Sequence, residues 1–125
     1  MVSVILFESE MWYFIRDNIK GGALTETTLL ILLAVFQPNH GYGIMQYIMQ
    51  ETHGRVKLGA GTLYGAIDAL AQKKWITLLE DEGYTRKKEY IITDTGKQIV
   101  EKEINRLNDV MELAMRIIRE ENRDE

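Results

Sequence analysis

The sequence predicts a mainly α-helical protein with a small two-stranded sheet and a long C-terminal helix. Three observations lead to this fold class. Apolar residues recur at helical spacing before residue 74, alternate with polar residues over 75–80 and 88–93, and return to helical spacing as far as residue 120. The length of 125 residues and the single proline, Pro38, suit one compact domain with an appended helix.

Two helices are predicted near the N-terminus. Over residues 8–20, apolar side chains recur every fourth position, and Gly21 with Gly22 ends the helix because glycine takes the left-handed conformation without steric cost. Residues 25–36 are almost wholly apolar, so we expect that helix to be buried. Pro38 disfavours a helical conformation at the residue before it and therefore predicts a turn.

A third helix is predicted over 42–52 and a fourth over 60–73. Apolar residues of the fourth helix recur at i, i+4 and i+7 and point inward: Leu63, Ile67 and Leu70. At about 100° per residue, the opposite face carries small or polar residues: Gly61, Gly65, Asp68 and Gln72. Outward glycines cost roughly 1 kcal/mol each relative to alanine. We therefore expect this face to let a ligand approach the backbone; crowding against a neighbouring helix is the alternative.

Two strands form the predicted sheet. Residues 75–80 and 88–93 alternate apolar and polar side chains, and Gly83 in the loop between them suits a turn. Four apolar residues are expected to share one face: Ile76, Leu78, Tyr90 and Ile92.

The last predicted helix runs over residues 94–120. Its apolar residues follow alternating spacings of four and three, which is the heptad pattern of a coiled coil: Val100, Ile104, Leu107, Met111, Ala114 and Ile118. A helix this long needs a partner for its apolar face, and one small domain cannot cover it all. We therefore expect a homodimer, with Met11 and Ile15 of the first helix assisting.

This order of elements is that of a winged helix-turn-helix domain (23–93), with an N-terminal helix assisting dimerisation (1–22) and a C-terminal dimerisation helix (94–125). In such domains one helix enters the major groove of DNA, and we expect the helix over 60–73 to do so. The net charge of −4 argues against nucleic acid, but residues 53–93 carry seven basic and five acidic side chains, a net +2. A local patch, rather than the total charge, meets phosphate.

The candidate DNA contacts each have a plainer alternative. Tyr64 is expected to meet phosphate or sugar, or else packs on the domain surface. Gln72 can read adenine and Asp68 can accept from cytosine, or both are simply solvated. Three consecutive positive charges before the second strand predict a wing on phosphate, or else a solvated turn. The predicted set is Lys57, Gly61, Thr62, Tyr64, Gln72, Arg86, Lys87 and Lys88.

Other functions find little support in the sequence. The absence of cysteine excludes disulfides, thiolate metal sites and cysteine nucleophiles, and the two histidines are not at a metal-binding spacing. Without a nucleophile–base pair or phosphate loop, we expect neither an enzyme nor a cofactor. No secretion signal or apolar span of about 20 residues is found, so we expect a cytoplasmic protein. Trp12, Met111 and Met115 suit an apolar ligand cavity, or else pack in the core.

Several segments resemble PadR-like bacterial transcriptional regulators. They are residues 24–36 as a first helix, His40-Gly41-Tyr42-Gly43-Ile44 opening the second, Gly61-Thr62-Leu63-Tyr64 opening the recognition helix, 86–93 as the wing and Thr95-Gly96 starting the last helix. The likeness covers about residues 20–120. It implies a homodimeric repressor that binds a pseudo-palindromic operator and is released when a small, often aromatic molecule binds near the dimer interface. It also adds Tyr42 to the expected DNA contacts.

The sequence departs from the family pattern in several places. Gly65 and Ala60 replace a frequent proline and a frequent serine, and the second change removes a hydroxyl that caps a helix. Asp68 stands where a basic or neutral polar residue is common. Residues 94–120 contain no tryptophan, on which some drug-sensing members stack flat ligands. A protein-interaction adaptor that kept the fold without DNA binding is the alternative function.

Overall fold

The computed structural model describes residues 22–79 and 88–123. Four helices and three short strands lie within these residues, in the order α1 (Glu26–Ala34), β1 (Asn39–His40), α2 (Gly41–Glu51), α3 (Ala60–Gln72), β2 (Ile76–Leu78), β3 (Glu89–Ile92) and α4 (Asp94–Arg123). The mainly helical fold class with its long last helix is confirmed. The predicted helix over 8–20, with Met11, Trp12 and Ile15, lies outside the described residues, as do Arg86 and Lys87.

The first three helices begin in different ways. The Thr25 hydroxyl accepts a hydrogen bond from the backbone N–H of Thr28, with 3.1 Å between nitrogen and oxygen. The Nδ1 atom of His40 accepts from the N–H of Gly43 at 3.1 Å. Helix α3 has no side-chain cap, but its N-cap is Gly59, one residue before Ala60, where the sequence predicts the missing hydroxyl. Because glycine at the N-cap costs only about a few tenths of a kcal/mol relative to serine or threonine, α3 begins only slightly less favourably than a helix with a side-chain cap.

The sheet has three antiparallel strands in the order β1-β3-β2, one more than the sequence predicts. Ile76 pairs with Ile92 and Leu78 with Tyr90, so the four residues expected on one face do share it. The added strand β1 pairs Asn39 with Tyr90. Two residues are too few to show an alternating pattern, which is why the sequence indicates only a turn there.

The core lies where α1, α2 and α3 pack together beside the sheet. As predicted, the three inward residues of α3 are buried, and α1 is buried along much of its length. The fully or nearly fully buried apolar residues are Ile31, Leu32, Val35, Ile44, Ile48, Leu63, Ile67, Leu70, Ile76, Ile92 and Val100. Val100, expected at the start of the dimer seam, is only 4% exposed and belongs to this core. The apolar seam left exposed therefore begins at Ile104.

The start of α4 is tied closely to the end of α3. The Thr93 hydroxyl donates towards the carbonyls of Lys74 and Trp75, at 2.7 and 3.0 Å, and accepts from the N–H of Gly96 at 3.0 Å. A Cβ on Gly96 would collide with the backbone carbonyl of Trp75. The junction between the end of α3 and the start of α4 is therefore rigid. It consists of Lys74, Trp75, Thr93 and Gly96.

A buried carboxylate makes a second attachment of α4. Glu103 is 3% exposed and accepts from the backbone N–H of Leu24 at 3.1 Å. Arg106 donates two further bonds to it, at 2.6 and 2.7 Å. These bonds compensate for the burial of the charge. The hydrogen bonds from Arg106 hold the pKa of Glu103 below its ordinary range, against the opposing effect of burial.

Candidate nucleic-acid interface

The outer face of α3 carries two glycines in open space. A Cβ at Gly61 or at Gly65 would meet nothing within 4 Å. Both residues are exposed, as are Asp68 and Gln72 on the same face. Crowding against a neighbouring helix therefore does not explain these glycines within the described part of the chain.

The close approach lies instead between α3 and the first turn of α2. A Cβ on Gly41 would collide with the phenol of Tyr64, which thus lies directly over the α2 backbone. Tyr64 remains 47% exposed. The sequence did not single out Gly41 for this role, although the pattern of glycines at 41 and 43 around a helix start was the available signal.

A second exposed phenol lies at the same end of α2. Tyr42 is 59% exposed, and its hydroxyl accepts from the side-chain amide of Gln46, one helical turn later, at 2.8 Å. Because Tyr64 covers the residue next to Tyr42, the structure brings two of the predicted DNA contacts together at the α2 N-terminus. Phenol hydroxyls at such a position suit hydrogen bonds to phosphate oxygens.

The basic side chains near α3 differ in what they contact. Arg55 forms an ion pair with Glu26, with 2.7 and 2.9 Å between their nitrogen and oxygen atoms, and this pairing lowers the pKa of Glu26. The ammonium of Lys73 lies 4.3 Å from the centre of the Trp75 ring. Lys57 is exposed just before α3, and Lys88 is exposed just before β3.

Tyr90 connects the outer face of α3 to the sheet. Burial of its ring raises the pKa of Tyr90, and electrostatic interactions with Asp68 and Tyr64 add to that shift. Asp68 follows Tyr64 by one helical turn on α3 and is exposed. Gly61, Tyr64, Gly65, Asp68 and Gln72 are all exposed along α3.

A long apolar stripe runs along the outer part of α4. Its large side chains are between 40% and 58% exposed: Ile104, Leu107, Val110, Met111, Leu113, Met115, Ile117 and Ile118. Ala114 is exposed among them. Within the described chain, nothing covers this stripe. The predicted cavity at Met111 and Met115 remains a prediction, since Trp12 lies outside the described residues.

Other kinds of site find no support in the part of the chain that is described. No group of three or more histidine, cysteine, aspartate or glutamate side chains is placed to hold a metal ion there. None of the described helices is both long and apolar enough to cross a membrane.

Comparisons with known proteins agree with the fold. Residues 29–102 match the model of the Transcriptional regulator PadR-like family. An uncharacterized 37.1 kDa protein in transposon TN4556 of Streptomyces fradiae is 35% identical over 79 residues, which are 62% of this chain. The chain spans only 22% of that relative's length.

Two solved structures are similar in fold. A PadR family transcriptional regulator from Eggerthella lenta superposes with a TM-score of 0.61 at 19% identity, over 74% of this chain and 80% of that one. Bacillus subtilis PadR, solved in complex with operator DNA, gives 0.55 at 24% identity, over 63% of this chain and 46% of that one. Since the family match covers more than half of the chain, this winged helix-turn-helix protein belongs to the PadR-like family of transcriptional regulators.

Proposed function

We propose that the protein is a homodimeric repressor that binds a pseudo-palindromic operator, with α3 of each copy in the major groove. The outer face of α3 is the observation that carries this proposal. Gly61 and Gly65 weaken the helix by roughly 1 kcal/mol each, and a Cβ at either position would meet nothing within 4 Å among the described residues. A surface that keeps two such residues is suited to a partner that comes close to the helix backbone. The Bacillus subtilis relative solved with operator DNA supports DNA as that partner.

The contacts to the DNA backbone would come from the rim of this face. The phenols of Tyr42 and Tyr64 at the α2 N-terminus and the ammonium of Lys57 are exposed and suited to phosphate. Thr62 and Gln72, which are both exposed on α3, would face the groove, where Gln72 suits an adenine edge. Arg86, Lys87 and Lys88 would hold a second stretch of phosphates. Each phosphate neutralised steepens the log–log salt dependence by about 0.9.

A second copy of the chain is the proposed partner of the α4 stripe. Eight large apolar side chains, each about half exposed, form a larger apolar patch than a soluble protein usually exposes to water. Such a patch indicates a binding surface. Ile104, Leu107, Met111, Ala114 and Ile118 would form the seam, aided by Met11 and Ile15 of residues 1–22. A two-fold axis across α4 would place two copies of α3 on half-sites about one DNA turn, ~34 Å, apart.

Release of the DNA would follow the binding of a small molecule near the dimer seam. A small apolar or aromatic effector at Trp12, Met111 and Met115 would sit beside the proposed dimer seam, where methionine adapts to varied guests. It would act by changing the separation of the two recognition helices. The protein would act in the cytoplasm, where bacterial DNA lies.

A salt-dependent gel shift tests the proposal. The probes are DNA fragments flanking the protein's own coding region and those of its genomic neighbours. The wild type is expected to retard at least one fragment, and replacing Arg86, Lys87 and Lys88 by alanine should lower affinity and reduce the salt slope by about two to three. A control with Lys97, Lys102 and Arg123 replaced by alanine removes the same charge from exposed positions on α4.

Two results would contradict the proposal. Without salt-sensitive binding of the wild type to any fragment, DNA is not the partner, and the protein-interaction adaptor becomes the better function. If both triple variants lose affinity equally, the effect comes from total charge and not from the wing.

A further inference from the structure

Asp68 places a bare negative charge on the proposed DNA-binding face. Its side chain is exposed, and its neighbours on the helix surface are all uncharged: Tyr64, Gly65, Ala71 and Gln72. Among the described residues it takes part in no ion pair, whereas Glu26 is paired with Arg55 and Glu103 with Arg106. The stabilising pair at i±3 or i±4 that helices commonly use is therefore missing here.

A carboxylate at this position opposes DNA binding unless the DNA offers it a donor. Phosphates surround the groove with negative charge, so an unsatisfied carboxylate there loses affinity. In the major groove only the amino groups of cytosine and adenine donate. Adenine also presents its N7 acceptor beside the amino group, which repels a carboxylate, whereas cytosine presents the N4 amino group alone. Cytosine is therefore the base that satisfies an aspartate best.

The neighbouring glycines make this contact geometrically reasonable. Aspartate is short, so its carboxylate reaches a base edge only when the helix backbone comes close to the groove floor. A Cβ at Gly61 or Gly65 meets nothing within 4 Å, so no side chain at these two positions holds the backbone away. Tyr64, one helical turn before Asp68, lies over Gly41 at the start of α2.

We infer that Asp68 is a specificity-determining residue, which accepts a hydrogen bond from the N4 amino group of a cytosine at one position in each operator half-site. This inference rests on the proposed function. It specifies which base the recognition helix selects. Asp68 would lower the affinity for every half-site that lacks this cytosine.

Selection from a randomised duplex library tests the inference directly. The proteins compared are the wild type, Asp68→Asn, Asp68→Ala, and Glu101→Gln as a control that removes an exposed negative charge from α4. The wild type and the control are expected to enrich one cytosine per half-site. Replacing that cytosine by thymine should weaken wild-type binding about 5- to 150-fold and leave Asp68→Ala nearly unaffected. Asp68→Asn should shift the preference towards adenine.

Each other outcome decides against the inference. If the wild type and Asp68→Ala enrich the same motif, or if Asp68→Ala binds all sequences more tightly with unchanged preferences, Asp68 acts only by repulsion and the inference alone is wrong. If the wild type binds DNA without any sequence preference, the inference about Asp68 is also wrong, while DNA binding itself stands. A wild type that retains no DNA overturns the proposed function as well, which separates the two failures.

Discussion

The junction of α4 with the domain and the outer face of α3 both contain glycines and a carboxylate, but in opposite circumstances. At the junction, a Cβ on Gly96 would collide with a backbone carbonyl, and Glu103 is buried with its hydrogen bonds made. On α3, Gly61 and Gly65 border open space, and Asp68 is exposed without an ion pair among the described residues.

The difference separates residues that the fold requires from residues that it only tolerates. The junction residues have a cause inside the monomer, because replacing them breaks contacts that the structure contains. The α3 glycines lower helix stability, and Asp68 has no ion pair among the described residues. None of the described residues accounts for them, which is why the outer face of α3 carries the functional proposal.

The largest effect is expected at Gly96. In Gly96→Ala the added methyl group must displace the Trp75 carbonyl, which also accepts from Thr93, so we expect a loss of about 3 kcal/mol in the free energy of unfolding. Thermal or urea unfolding followed by circular dichroism measures it. If Gly96→Ala is as stable as the wild type, the contact between Gly96 and the Trp75 carbonyl does not hold α4 rigidly on the domain.

A smaller loss is expected when the buried carboxylate loses its charge. Glu103→Gln keeps an acceptor for the Leu24 N–H but gives up the charge-assisted bonds from Arg106, which should cost about 2 kcal/mol. Asp68→Asn is the matched control and should change stability by less than about 0.5 kcal/mol. Equal losses in the two variants would contradict the contrast between the two acids.

The α3 glycines should respond in the opposite direction. Gly65→Ala, and separately Gly61→Ala, should raise the free energy of unfolding by up to about 1 kcal/mol, because alanine favours the helix and meets open space. The same variants should bind DNA about tenfold more weakly, the equivalent of about 1.4 kcal/mol. Urea unfolding and gel-shift titration on one preparation give both values. Stabilised variants with unchanged DNA affinity would show that close approach is not needed.

The smallest effect concerns acid pH. The pKa of Glu103 lies below its ordinary value of 4.5 in the folded protein, chiefly through the Arg106 hydrogen bonds. The unfolded chain therefore binds the proton more readily, so this stabilisation is complete above 4.5 and is lost as the pH falls through the folded value. Stability should decline more steeply on the acid side in the wild type than in Glu103→Gln. The pKa of Glu26 is also lowered, but equally in the wild type and in Glu103→Gln, so it does not affect the difference between their stabilities at acid pH.

Features that depend on a regular repeat could be predicted from the sequence. Two features follow from the spacing of apolar side chains, and both predictions are confirmed. One is the inward position of Leu63, Ile67 and Leu70, and the other is the shared face of Ile76, Leu78, Tyr90 and Ile92. The outward position of Gly61 and Gly65 follows from the same helical spacing. The regular spacing of apolar residues along a helix or strand indicates which face each residue occupies. It does so independently of the element that packs against that face.

Features that depend on two distant segments meeting could not be predicted. Tyr64 over Gly41, the two-residue strand β1, and the bond from Leu24 to Glu103, 79 residues apart, leave no periodic trace. Val100 shows the same limit, since its heptad position predicts the dimer seam while the packing of α4 on the domain buries it.

The sequence by itself determined the order of the four described helices and of strands β2 and β3, the open face of α3 and the apolar stripe of α4, because local spacing sets the direction of each side chain. Only the tertiary structure decided which glycines are required, which carboxylate is paired and where the stripe stops being core. Those outcomes depend on which distant atoms come within contact distance, and local spacing does not encode that.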